Sequence, residues 1–152
     1  MKTIVCLVDF SDAAPKVLEQ TCKFAKPFAA RVILLHVVPQ VPVTIDLAIV
    51  SPVINEAPGP AAVAADAARL AELGRPLTDL GIDVIMQQLT DASVPALLRE
   101  CEKWEASLVI VGSHHHSKLY RWLIGSMTSD VLKSSRCPVL VVPGDCEHPR
   151  GA

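Results

Sequence analysis

The 152-residue chain has no apolar run of the roughly 18 residues that a bilayer-crossing helix requires, and no marked excess of either charge. Fourteen basic against sixteen acidic residues leave a net charge of −2, which gives no chain-wide attraction for a nucleic acid. Neither membrane spanning nor nucleic-acid binding is expected. The five cysteines, Cys6, Cys22, Cys101, Cys137 and Cys146, are odd in number and show no CxxC spacing. Three of them lie inside apolar runs, where cysteine behaves as a small hydrophobe, so reduced thiols in a cytoplasmic protein fit best. The stretch between Lys2 and Asp9 is too short for a secretory signal, which points to the same compartment. Also missing are a GxSxG nucleophile elbow, a GxxxxGKS or GxxxxGKT phosphate loop and an HExxH metal motif.

What is present is a globular composition, 51% apolar and 20% charged, in a length that suits one domain. That domain is expected over 1–145, followed by a polar tail at 146–152. Apolar, β-rich runs at Thr3–Val8, Val32–Val38, Ile82–Leu89, Leu108–Val111 and Val139–Val142 alternate with helix-compatible stretches. Such alternation predicts a parallel sheet with helical crossovers. Runs such as Ile-Val-Cys-Leu-Val are apolar on both faces, as strands covered on both sides must be. The expected fold is a three-layer α/β sandwich.

Ser11 or Asp12 is placed to cap a first helix that ends near Pro27. A second, alanine-rich helix is expected over Ala61–Leu80, kinked or interrupted at Gly74 and Pro76 and ended by Gly81. Asp91 or Ser93 opens a third that runs to about Trp104, and a fourth is expected over Ile124–Ser135. Residues 39–60 hold five prolines and no clear period, so a long irregular loop is expected there. Its apolar Ile45–Ile54 segment suits packing on the domain or on a partner subunit.

In open α/β sheets ligands bind beyond the carboxyl ends of the strands, where strand order reverses. The residues at those ends are Asp9-Phe10-Ser11, Val37-Val38-Pro39, Thr90-Asp91 and Gly112-Ser113-His114. The segment from Gly112 leads to Gly125-Ser126 at a helix start, where amide groups and the helix dipole favour an anion such as phosphate. The adjacent imidazoles His114, His115 and His116 cannot easily converge on one ion, so no metal site is expected there. His36, inside an apolar strand, reads as a hydrogen-bonded core histidine.

Four stretches carry a family resemblance: Ile-Val-Cys-Leu-Val-Asp9-Phe10-Ser11, Leu-Leu-His36-Val37-Val38, Ala106-Ser-Leu-Val-Ile-Val-Gly112-Ser113-His114, and Cys137-Pro138-Val-Leu-Val-Val. In sequence and in order they resemble the universal stress proteins over nearly the whole chain. The resemblance implies a five-stranded parallel sheet in the order 3-2-1-4-5 and a dimer; in that order the last strand, Pro138, Val139, Leu140, Val141 and Val142, is an apolar edge that a second copy would cover, the alternative being its own short polar tail. It also implies an adenine nucleotide, ATP or AMP, as ligand. Nucleotide-binding members carry G-x2-G-x9-G-S/T, matched here by Gly112 at the start and Gly125-Ser126 at the end. The middle glycine is replaced by His115. Its imidazole either blocks the approach of the phosphates or donates a hydrogen bond to them.

By the same resemblance Asp9 lies near the ribose or adenine, while the Val37 main chain meets the adenine edge. As a carboxylate Asp9 is chemically able to accept from hydroxyls or to hold Mg²⁺, the plainer alternative being a polar strand end or helix cap. Gly112 borders the ribose and first phosphate, and Gly125, Ser126 and Met127 face the outer phosphates. The function implied is a nucleotide-regulated module of the stress response. The alternatives are an interaction module of the same fold whose pocket His115 fills, and a slow ATP hydrolase or self-phosphorylating protein with Ser126 as acceptor. Lys118 and Arg121 are the only cations near that segment in sequence, and they read as solvated.

Overall fold

The computed structural model describes residues 2–44, 53–113 and 128–143. The chain runs β1 (Thr3–Val8), α1 (Ala14–Ala25), β2 (Arg31–Val37), β3 (Val41–Thr44), β4 (Val53–Glu56), α2 (Pro60–Asp79), β5 (Val84–Leu89), α3 (Val94–Lys103), β6 (Ala106–Ser113), α4 (Thr128–Ser134) and β7 (Val139–Pro143). Five of the strands form one sheet in the order β5-β2-β1-β6-β7. Every pairing in it is parallel. Numbered among themselves, these strands stand in the expected order 3-2-1-4-5.

Alternation along each strand divides the core in two. Ile4, Cys6 and Val8 of β1, Val32 and Leu34 of β2 and Ile110 of β6 pack with Val17 and Leu18 of α1 and Leu70 and Leu77 of α2. Val5 of β1, Ile33 and Leu35 of β2 and Val109 and Val111 of β6 face the other way, onto Leu97 of α3 and Val131 of α4. The sheet is thus covered on both faces, as the uninterrupted apolar runs require. Burying each such Leu, Ile or Val contributes about 1.5–3 kcal/mol.

Three local expectations are corrected. Helix α1 takes no side-chain cap from Ser11 or Asp12, since its N-cap is Ala13 and the Ala14 amide donates to the Ser11 carbonyl. Helix α2 runs unbroken through Gly74 and Pro76. Leu70 and Leu77 anchor it on either side, and a Cβ at Gly74 would stand 2.7 Å from Met86 Cε and 3.1 Å from Leu34 Cδ2, so the glycine serves close helix–sheet approach. Gly81, at φ +77°, ends the helix as expected, its amide donating to the Thr78 carbonyl.

The 39–60 stretch is not wholly irregular either, because β3 and β4 pair antiparallel with Val41 opposite Glu56. Pro42 conceals this strand in the sequence, yet a proline is tolerated in a two-stranded ribbon, where each strand has an open edge. Helix α3 is capped by Ser93, whose Oγ accepts from the Ala96 amide at 3.3 Å. The expectations placed on Ile124–Met127, on His114–His116, Lys118 and Arg121, on Ile45–Pro52 and on the 146–152 tail lie outside the described residues.

Candidate functional site

The chain visits β1, then β2 and β5 on one side, then β6 and β7 on the other, so strand order reverses between β1 and β6. In open α/β sheets the crevice that takes a ligand lies outside the carboxyl ends of the strands at such a reversal. Asp9 follows β1, Val37 ends β2, and Gly112 is the last residue but one of β6, paired with Val142. Three of the expected site residues therefore come from three neighbouring strands. His115, Gly125, Ser126 and Met127 lie outside the described residues.

Asp9 has a local task that accounts for the missing helix cap. Its Oδ1 accepts from the Ser11 amide at 3.3 Å and from the Ser11 hydroxyl. This Asx-type turn directs the chain into α1. Among the described residues Oδ2 has no hydrogen-bond partner, so the carboxylate keeps acceptor capacity for a hydroxyl or for a divalent cation. Val37 pairs with Leu89 in the sheet, and the following Val38 amide donates to the Leu89 carbonyl at 2.9 Å. A Cβ at Gly112 would stand 3.0 Å from Val17 Cγ2. The glycine at this strand end thus lets α1 lie close to the sheet.

Beneath the β1 end lies a polar cluster. His36 is only 3% exposed, and its Nδ1 is 3.0 Å from the Val8 carbonyl oxygen while its Nε2 is 3.3 Å from Asp66 Oδ2. The core histidine expected from the sequence is thus hydrogen-bonded on both ring nitrogens. Phe10 packs on the imidazole with ring centroids 4.3 Å apart, and the Arg69 guanidinium lies 4.0 Å from the Phe10 centroid. Arg69 also stands 3.7 Å from Asp66 Oδ1.

Asp66 and Arg69 escaped the sequence reading. Asp66 precedes the buried Leu70 by one helical turn, so it falls on the core-facing stripe of α2, and a carboxylate there requires a partner. That spacing was the available signal.

The Universal stress protein family model matches residues 1–143. This chain belongs to the universal stress protein family. A universal stress protein of Methanocaldococcus jannaschii is 26% identical over 146 residues, which cover 93% of this chain and 81% of that protein. Among solved structures, a universal stress protein in complex with cAMP superposes with a TM-score of 0.66 at 22% identity, covering 95% of this chain and 98% of that one. A universal stress protein from Archaeoglobus fulgidus in complex with dAMP gives a TM-score of 0.66 at 17% identity, covering 93% and 98%. The family's fold is the one found here, and no helix among the described residues is long and apolar enough to cross a membrane.

Proposed function

We propose that this universal stress protein binds an adenine nucleotide, ATP or AMP, across the carboxyl ends of β2, β1 and β6, and acts as a regulatory module in the cytoplasm. The observation that carries the reading is the position of Asp9, which stands where strand order reverses and keeps one carboxylate oxygen unpartnered among the described residues. Related structures hold cAMP and dAMP, which adds weight to an adenine ligand. In this reading Asp9 takes the ribose hydroxyls, the Val37 main chain meets the adenine, and Gly112, Gly125, Ser126 and Met127 surround the phosphates. Mg²⁺ on a triphosphate would find its protein oxygen at Asp9. Nucleotide contacts made in only one arrangement of this region would shift its population and so the surface shown to a partner.

The last strand, β7, stands at the edge of the sheet, and its Val139–Val141 side chains are half-buried. Pairing of this edge with a second copy would cover it and give a closed dimer. His115 supports a second reading, because it replaces the middle glycine of the nucleotide pattern. There the pocket is filled by the imidazole and the chain is an interaction module without nucleotide.

Titrating ¹⁵N-labelled protein with AMP tests the site. The expected result is saturable movement of the Asp9, Val38 and Gly112 amide signals. Movement confined to other strands, or none, argues against it. A His115→Gly variant separates the two readings, since a blocking imidazole predicts that affinity rises when it is removed.

A further inference from the structure

Each nitrogen of the His36 ring faces an oxygen, and the two oxygens decide where the protons are. The Val8 carbonyl has no proton to give, so Nδ1 at 3.0 Å must be the donor. The second nitrogen, 3.3 Å from Asp66 Oδ2, shares one further proton with that carboxylate. Asp66 Oδ1 faces the Arg69 guanidinium at 3.7 Å, so the carboxylate is placed as the acceptor of the pair. The proton therefore sits on the ring.

The carbonyl held by Nδ1 belongs to the Val8–Asp9 peptide, whose next side chain is the Asp9 carboxylate. His36 also stands opposite Val8 in the β1–β2 register and opposite Gln88 in the β2–β5 register. Gln88 is engaged elsewhere, its Nε2 donating to the Val63 carbonyl of α2 at 3.0 Å. Phe10 closes the remaining side of the ring. The groups facing His36 are thus the Val8 carbonyl from β1, Asp66 and Arg69 from α2, Gln88 from β5 and the Phe10 ring.

We propose that His36 is an imidazolium clamped between Asp66 and the Val8 carbonyl, and that it is the positioning residue that fixes the Val8–Asp9 peptide and so aims the Asp9 carboxylate into the crevice. The part concerning Asp9 rests on the nucleotide reading given above. The clamp makes α2 an electrostatic extension of the site, although α2 supplies none of the residues assigned to the nucleotide. Loss of the charge on Asp66 frees the ring to become neutral and to exchange tautomers, one of which turns a lone pair toward the Val8 oxygen.

The test combines ¹⁵N spectra of the imidazole, the ¹³C signal of the Val8 carbonyl and calorimetric titration with AMP, on the wild type and on the Asp66→Asn and His36→Gln variants of the full chain. The expected spectrum at pH 7 has two protonated ring nitrogens on His36 in the wild type and a neutral ring in Asp66→Asn, with the Val8 carbonyl signal displaced. A wild-type ring with one bare nitrogen overturns the clamp. The charge-assisted hydrogen bonds are expected to be worth about tenfold in AMP affinity in either variant, read at a temperature where circular dichroism shows it folded. Folded variants that bind AMP as tightly as the wild type overturn the positioning role. A wild type that takes up no AMP contradicts the nucleotide reading instead, and the nitrogen and carbonyl signals then decide the clamp by themselves.

Discussion

Gly112 lies directly under Val17, so close that a methyl group on the glycine would stand 3.0 Å from Val17 Cγ2. A glycine that the nucleotide pattern marks as a phosphate-side residue is therefore also a packing residue between β6 and α1. Under the proposed nucleotide reading, a loss of ligand binding on its replacement would have two separable causes.

Gly112→Ala is expected to destabilise the fold by about 1–3 kcal/mol through overpacking against Val17. Denaturant unfolding measures the loss. In the Val17→Ala background the same substitution should cost distinctly less, because the opposing methyl is gone, and full additivity of the two changes would exclude the contact as the cause.

The cysteines should differ sharply in reactivity. Burial, offset in part by the Thr21 hydroxyl 3.1 Å from its sulfur, pushes the Cys6 thiol up to about 12. Burial, with the charges of Cys137 and Glu100 added, pushes Cys101 up to about 12 as well. At pH 8 only on the order of one molecule in ten thousand presents either thiolate. Cys22 and Cys137 are half-buried. Alkylation of the native protein followed by peptide mass mapping should label Cys22 and Cys137 well before Cys6 and Cys101, and early labelling of Cys6 would contradict the packed first face of the sheet.

Glu100 should report on acid stability. Burial raises its carboxyl, but hydrogen bonds from Gln87 at 2.5 Å and from Lys103, with the Lys103 charge, outweigh this and hold it below its ordinary 4.5, while the Trp104 indole donates to Gln87 Oε1 at 2.7 Å and so braces the amide. A carboxyl more acidic folded than unfolded stabilises the fold above the unfolded value and loses that contribution as pH falls through the folded one. The stability gap between wild type and Glu100→Gln should thus be constant above about pH 4.5 and shrink below it. A gap that widens on acidification would reverse the sign.

Strand positions were legible because β1, β2 and β6 carry apolar residues on both faces, a pattern that only a sheet covered on both sides requires. Their ends then put Asp9, Val37 and Gly112 at the carboxyl edge of the sheet, and the resemblance to the family, not the strand pattern, singled these three out from the other strand ends. Helix α2 misled at Gly74 and Pro76, because local preference argues for a break while Leu70, Leu77 and the close contact with Leu34 hold the helix across it. The capping role expected of Ser11 or Asp12 failed for a related reason, since Asp9 takes both Ser11 donors and shapes the turn one step earlier. Asp66 was visible only as a carboxylate on an apolar stripe. Its partner His36 is 30 residues away, and no local pattern links the two.

Calorimetric titration of nucleotide-free protein with ATP and Mg²⁺, and separately with AMP, tests the central claim most directly. The expected outcome is saturable binding at one site per chain with micromolar affinity, near −8 kcal/mol, lost in Asp9→Ala. No binding of either nucleotide up to about millimolar concentration, where even −4 kcal/mol would register, contradicts it.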